Sequence, residues 1–361
     1  MPIDPQHYVP ILLTKQGERL AVRDLPQPVR GRLTPLFVIS PIPWDFEEEV
    51  WAKSLDEHLV QIPNELRTAW GTSAAFIDLL LVDDDGPLGN GLHPLDWVIS
   101  QAAAFGLPLI PTVSPTRTSA YRTAATVVIA RDHRGACIRL QVAEWPVNLP
   151  GRIDPLLTEL GVGAGDVDLV LDLGDETGPL ALTVLRQQLA SLPHRDAWRS
   201  LIVAGAAMPR EMPAGKLVHV LSRDDWTRYL ALRSGDPTPE RIPTFADYAI
   251  AHPDPTFDID PRFMSLSAQV RYATGDHWLI SKGPLWKGTG GAGIGGAAMP
   301  AVAAGLQAHP DYLGNHHCAL EQWLGAITPQ TGGGNPMTWR RYGTLHHLTV
   351  VTEQLATLPA A

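Results

Sequence analysis

"VDLVLDLG" at 167–174 gives way to "PLALTVLRQQLASL" at 179–192 and then to "WRSLIVAGAAM" at 198–208. The first and third stretches are short, almost wholly apolar and rich in Val, Leu and Ile. Such runs read as strands covered on both faces, and the amphipathic stretch between them has helical length. A strand buried on both faces belongs to a parallel sheet, because parallel neighbours need a crossover helix that packs back on the sheet.

The same rhythm extends in both directions. "YVPILLT" (8–14), "LTPLFVIS" (33–40), "AAFIDLLLV" (74–82), "LPLIPTVS" (107–114), "ACIRLQVAEW" (136–145) and "PTFADYAIA" (243–251) read as further strands. Helices are expected over 44–70, 93–106, 119–131, 153–161 and 223–234. The first of these is opened by Asp45 with Glu48 three residues on, a spacing that suits a capping box. Alternation sustained over about 250 residues favours a TIM-barrel-like (β/α)8 body over an open doubly wound sheet. Beyond Ala251 the pattern changes to Pro- and Asp-rich loop, a hairpin signal around Thr274-Gly275-Asp276, and glycine-rich segments. The expected organisation is a barrel-like domain over 1–251 and a C-terminal α+β extension over 252–361, packed on the barrel.

The chain has 361 residues and a formal net charge of −10, which argues against a broad electrostatic footprint for nucleic acid. Its two cysteines, Cys137 and Cys318, are too few for a disulfide framework. The N-terminal stretch lacks a basic region followed by an apolar core, and no apolar run reaches the roughly 18 residues of a membrane helix. A cytoplasmic protein without membrane contact is expected.

"GTGGAGIGG" at 288–296 holds two overlapping G-x-G-x-x-G matches. A dinucleotide turn belongs after the first strand of a doubly wound sheet, with an acidic residue ending the next strand. Neither condition is met, so the stretch reads as a loop. Two histidine pairs, His316–His317 and His346–His347, stand near the C-terminus. His317 and Glu321 are four apart, as in helical metal sites, but no further metal motif accompanies them, and no metal site or cofactor is assigned. Arg340, Arg341 and a histidine could line an anion pocket.

In a barrel, residues at the C-terminal strand ends face the usual site. Lys15, Asp78, Arg139 or Gln141, Glu144, Asp172 and Asp247 fall there. Asp78 and Asp172 sit in very apolar strands and need a cationic or hydrogen-bonding partner, which Lys15 could supply. They read either as a buried ion-pair network closing the barrel or as functional carboxylates. No nucleophile motif is present.

"YVPILLTKQGERLAVRDL", "LTPLFVISPIPWDF", "TSAAFIDLLLV", "RGACIRLQV", "VDLVLDLG", "WRSLIVAGAAMP", "PTFADYAIAHP", "VRYATGDHWLISKG" and "TWRRYGTLHHLT" together resemble the phage and bacterial beta protein family. The likeness runs in order over nearly the whole chain. It implies a barrel-like α/β body with a C-terminal elaboration, and a setting in phage–host conflict, with no established activity. Val38 stands where the family usually carries a glutamate, and the glycine stretch departs from a G-x-G-x-x-Q-Y pattern; Lys282 before it matches.

Two functional readings follow. In the first, the barrel mouth binds a small anionic ligand or a protein partner through Arg139, Arg271, Lys282, Arg340, His346 and His347, with Trp339 as a stacking face. In the second, Asp78, Asp172 and Asp247, with Lys15, run glycoside or phosphoester hydrolysis. The second requires carboxylates across an open cleft; a structural role sets each against a cation in a closed core. A subunit with no ligand, whose partner is another protein, is a third possibility.

Overall fold

The structure is a computed structural model; it describes residues 3–82, 86–145, 150–176, 178–235, 238–255, 260, 262–328 and 330–359. In chain order the strands are β1 (Tyr8–Leu13), β2 (Leu36–Val38), β3 (Trp44–Asp45), β4 (Val50–Trp51), β5 (Ala75–Asp78), β6 (Leu109–Val113), β7 (Ala136–Gln141), β8 (Val167–Asp172), β9 (Ser200–Gly205), β10 (Val218–Ser222), β11 (Thr244–Asp247), β12 (Leu266–Ala273) and β13 (His277–Lys287). The helices are α1 (Gln16–Arg23), α2 (Gln27–Arg30), α3 (Leu55–Leu59), α4 (Ile62–Trp70), α5 (Pro94–Ala104), α6 (Ser119–Asp132), α7 (Pro150–Leu160), α8 (Pro179–Ser191), α9 (Asp224–Ser234), α10 (Met299–Gln307), α11 (Ala319–Gly325) and α12 (Pro336–Thr357).

Eight strands close a barrel in the order β1-β11-β9-β8-β7-β6-β5-β2. Every neighbouring pair is parallel, from β1 with β2 round to β11 with β1. The expected α/β barrel is therefore the fold. Alternate residues of each strand point in: Val9, Ile11, Leu36, Phe76, Val170 and Ile202 meet in one inner cluster. Their neighbours point out and join the helices in a second, larger core.

The helices start where the sequence provides caps. The Thr118 hydroxyl accepts from the Tyr121 N–H at the start of α6, and that helix stops at His133, whose φ of 53° is left-handed. Asn335 accepts from the N–H groups of Met337 and Thr338 at 3.0 and 3.1 Å, and Pro336 follows as the first residue of α12.

The single helix expected over 44–70 is not formed. Asp45 does accept from the Glu47 and Glu48 N–H groups, at 2.9 and 3.2 Å, but in the turn of the β3–β4 hairpin. The capping box lies further on, where Ser54 and Glu57 satisfy each other's N–H groups at 3.3 and 2.8 Å. Pro63, in the first turn of α4, costs no hydrogen bond there, whereas inside one continuous helix it would.

The region after β11 supplies β12, β13 and the helices α10 to α12, and its two strands join β10, from before β11, in a three-stranded antiparallel sheet of order β10-β13-β12. β10 precedes α9 in the chain; its five residues, VHVLS, are intermediate or exposed, and they lie within the stretch expected to belong to the barrel domain. α12 lies against α1, α2, β1 and β12. Its Leu345, Leu348, Val351 and Leu355 are buried in the same core as the barrel's outer face, and each contributes roughly 1.5–3 kcal/mol. The stretch at 288–296 forms short 3-10 turns between β13 and α10. A side chain at Gly293 would collide with the Trp286 carbonyl, against which the turn folds back. Among the described residues no helix is long and apolar enough to cross a membrane.

Candidate functional site

The C-terminal mouth of the barrel is occupied by charge. Asp78 ends β5, Arg139 lies near the end of β7, Asp172 ends β8, and Tyr248 follows β11, all facing inward. Arg139 stands between the two carboxylates: its Nη1 is 2.8 Å from Asp78 Oδ2, and its Nε donates to Asp172 Oδ2 at 2.9 Å. Its Nη2 donates to the Tyr248 hydroxyl at 2.6 Å, and that hydroxyl donates to Asp172 Oδ2 at 2.6 Å. Arg117, directly before the cap of α6, completes the set by pairing with Asp78 Oδ1.

The other carboxylate oxygens accept backbone N–H groups, Asp78 Oδ1 from Leu80 and Asp172 Oδ1 from Gly174, each at 2.9 Å. All four oxygens thus have partners. Burial alone would push the Arg139 guanidinium down, but Tyr248, Asp172 and Asp78 more than offset it and hold the group above its ordinary value. Beside the network, next to Glu144 and Thr116, lies a small pocket of about 20 Å³, room for about one water. Arg139 and Arg117, not Lys15, hold the two carboxylates. Among the described residues this is the paired arrangement, each carboxylate set against a cation.

Asp247 has the opposite orientation. As the neighbour of Tyr248 on one strand it points to the other face, toward the helices. Its Oδ2 accepts from His347 Nε2 at 2.7 Å, and its Oδ1 accepts from the Tyr8 hydroxyl and the Ala249 N–H. These contacts outweigh burial and hold Asp247 below the usual carboxylate range, while burial pushes His347 down despite Asp247. Close by, Asp225 is pushed up to about 7 by burial, with the charge of Asp247 adding to the effect. Arg223 runs through this layer, its guanidinium 5.3 Å from the Trp226 ring centre and 5.7 Å from that of Trp278. Several buried polar atoms here have no hydrogen-bond partner among the described residues: Arg223 Nε and Nη2, Asp225 Oδ2, Arg228 Nη1 and His347 Nδ1.

A third group of charges lies at the seam between β1 and β11. Lys15 follows β1 and precedes α1, Glu18 lies in the first turn of α1, Arg271 is on β12 and Arg340 on α12. Arg340 Nη1 is 2.8 Å from Glu18 Oε1, and Arg271 donates to the Ile250 carbonyl just past β11. Burial and then the positive charge of Arg340 push the Arg271 guanidinium down to about 10, and the same two causes push Lys15 down. Glu18 opposes both shifts. Among the described residues Lys15, Arg271 and Arg340 thus all lie within electrostatic reach of Glu18. α1 and α12 meet closely here: a side chain at Gly17 would lie 2.9 Å from the Met337 carbonyl.

The remaining expected site residues are elsewhere. Lys282 on β13 donates from Nζ to the Pro213 carbonyl. The Trp339 ring is buried, its N–H donating to the Gly333 carbonyl at 2.7 Å, so it offers no open stacking face. His346 and His347 point in different directions, the first toward Glu321 and the second toward Asp247. Sequence reasoning missed Arg117, Glu18, Arg223 and Asp225, none of which sits in a recognisable motif, and gave Tyr248 only as a match to the family. It also missed the β3–β4 hairpin, whose Trp44 and Trp51 rings meet edge to face while Trp51 is 60% exposed. At the opposite end of the barrel a cavity of about 630 Å³ is bordered by His7, Arg30, Asp168 and Arg199. There Asp168 is bound at 2.6 Å by Arg199 and by the Ser200 hydroxyl.

The family model described as Beta protein matches residues 8–353, and the chain belongs to that family. Comparison with curated proteins finds no match.

Proposed function

We propose that this Beta protein family member is a binding protein for a small anion of phosphate or carboxylate type, held at the β1–β11 seam by Lys15, Arg271 and Arg340. The observation that carries the reading is the close approach of two guanidinium groups at the seam: the charge of Arg340, itself paired with Glu18, adds to burial in pushing Arg271 down to about 10. Like charges held together in a partly buried place repel one another, and an anion relieves that repulsion. Guanidinium groups also match the oxygen geometry of phosphate and carboxylate. The start of α1 adds to this, because Lys15 provides no side-chain cap for its first N–H groups. Phage–host conflict is the setting that the family suggests for such a sensor, and it is part of the proposal.

Calorimetric titration of the full chain with inorganic phosphate and with pyrophosphate tests the reading. Lys15→Ala and Arg340→Ala should each weaken binding about tenfold or more, and raising the salt concentration should weaken the wild type. Arg340→Lys keeps the charge and should lose less. Wild-type protein that binds neither anion, or two alanine variants that bind as wild type does, would overturn it.

A further inference from the structure

Cys318, Glu321 and His346 converge in the core between α11, α12 and β12, away from the seam. Cys318 precedes α11 and Glu321 lies in its first turn, so a spacing of three residues puts both on one face. His346 comes from the middle of α12. Its Nδ1 is 3.7 Å from Cys318 Sγ and 2.9 Å from Glu321 Oε1, and the three donor atoms lie within 4.8 Å of one another. Glu321 and His346 are 0% exposed and Cys318 is 8% exposed.

The second nitrogen of His346 fixes the chemistry of the first. Nε2 is 2.8 Å from the Ala273 carbonyl, which can only accept, so Nε2 carries a proton. In the neutral ring Nδ1 is then a lone pair aimed at a carboxylate oxygen. Two acceptors 2.9 Å apart repel unless a cation lies between them, either a proton on Nδ1 or a metal ion. An imidazole whose outer N–H is tied to a backbone carbonyl is the usual arrangement of a metal-bound histidine.

The spacing also fits. Tetrahedral zinc, with Zn–S of about 2.3 Å and Zn–N of about 2.0 Å, places sulfur and nitrogen about 3.6 Å apart. The Glu321 carboxylate would need to turn outward by about half an ångström to reach the corresponding position. His317 stands alongside, its ring centre 5.6 Å from that of His346. Its Nε2 is buried without a hydrogen bond, 3.6 Å from Glu353 Oε2.

We propose that Cys318, Glu321 and His346 form a binding site for a zinc-type divalent cation, with water or His317 at the fourth position. Thiolate and imidazole donors select zinc over magnesium or calcium. On binding, the S–H bond of Cys318 breaks, the S–Zn bond forms and the proton passes to solvent, with no change of oxidation state. The ion would tie α11 to α12, and through α12 to the barrel.

The experiment uses the full chain, stripped with a chelator and titrated with zinc(II) or cobalt(II) chloride. About one metal ion per chain should bind, cobalt should give a thiolate-to-metal charge-transfer absorption, and zinc should raise the melting temperature reversibly. The nearly isosteric Cys318→Ser should lose that absorption and weaken zinc binding about tenfold or more. A chain that binds no zinc at micromolar concentration overturns the proposal, as does a cobalt complex without thiolate absorption. Either result leaves a His346–Glu321 ion pair with Nδ1 protonated. Should Cys318→Ser not fold, the cobalt spectrum of the wild type decides alone.

Discussion

Asp247 and Tyr248 are consecutive residues whose side chains enter two different polar networks on opposite faces of β11. On the inner face, Tyr248 joins Arg139, Asp172, Asp78 and Arg117, and every carboxylate oxygen there has a partner. On the outer face, Asp247 and His347 adjoin Asp225, Arg223 and Arg228, where several buried nitrogens and one carboxylate oxygen have none. A saturated network acts as a rigid plug, because each group is already committed. An unsaturated one carries a desolvation cost that water or a change of protonation must relieve. The difference separates structural charge from charge that can respond to conditions.

The sharpest way to break this comparison is to remove the centre of the inner network. Arg139→Met keeps an unbranched apolar stem but removes the guanidinium, leaving Asp172 with Tyr248 and one backbone N–H, and Asp78 with Arg117 and the Leu80 N–H. Breaking a buried pair from one side costs about 3–5 kcal/mol, so the urea midpoint should fall sharply. A loss below about 1 kcal/mol would mean that the mouth is open to water, and the carboxylates would regain their candidacy for chemistry.

The outer network should reveal itself through pH. The Asp225 carboxyl is raised to about 7 in the folded chain, above its ordinary value near 3.8, so the native state binds the extra proton. Stability from this group is therefore present in acid and lost as pH rises from about 4 to about 7, at up to about 1 kcal/mol per pH unit. His347 works in the opposite sense: its folded value is lowered, so its penalty appears as pH falls below about 6.5. The difference between wild type and Asp225→Asn isolates the first effect. Melting temperatures from pH 4 to 8 should show the variant losing its disadvantage, or gaining an advantage, as pH rises. Parallel curves would place Asp225 in contact with water and remove the contrast between the two faces.

The sequence made one of these faces far more legible than the other. Strands such as 167–172 announce themselves because burial on both sides excludes polar residues, so an Asp within them stands out and must have a partner. That logic located Asp78, Arg139 and Asp172 as well as the barrel. It could not locate Arg117, which arrives from a loop, and it gave Tyr248 no role beyond matching the family, because its ring looks like ordinary core. Asp225 and Arg223 were hidden for a different reason: at a helix start, charged residues normally face water, and only the packing of β12, β13 and α12 over them makes them buried. The helix expected from Asp45 failed similarly, since an aspartate that accepts two N–H groups suits a hairpin turn as well as a helix cap.

Lys282 provides the smallest and most discriminating contrast. It matches the family pattern and was grouped with Arg271 and Arg340 as a ligand-binding cation, yet its ammonium donates to the Pro213 carbonyl and its backbone N–H to the Leu217 carbonyl at 3.1 Å. Both bonds fasten β13 to the segment leading into β10. Lys282→Ala removes only the side-chain bond, so it should cost about 1 kcal/mol and leave phosphate or pyrophosphate affinity within about twofold of wild type. Arg340→Ala should do the reverse in rank, with binding falling much more than Lys282→Ala allows. If Lys282→Ala instead lost anion binding while keeping its melting temperature, the positive charge that matters would extend along β13. The seam would then be one end of a longer site, and Lys282 would owe its place in the pattern to the ligand rather than to the sheet.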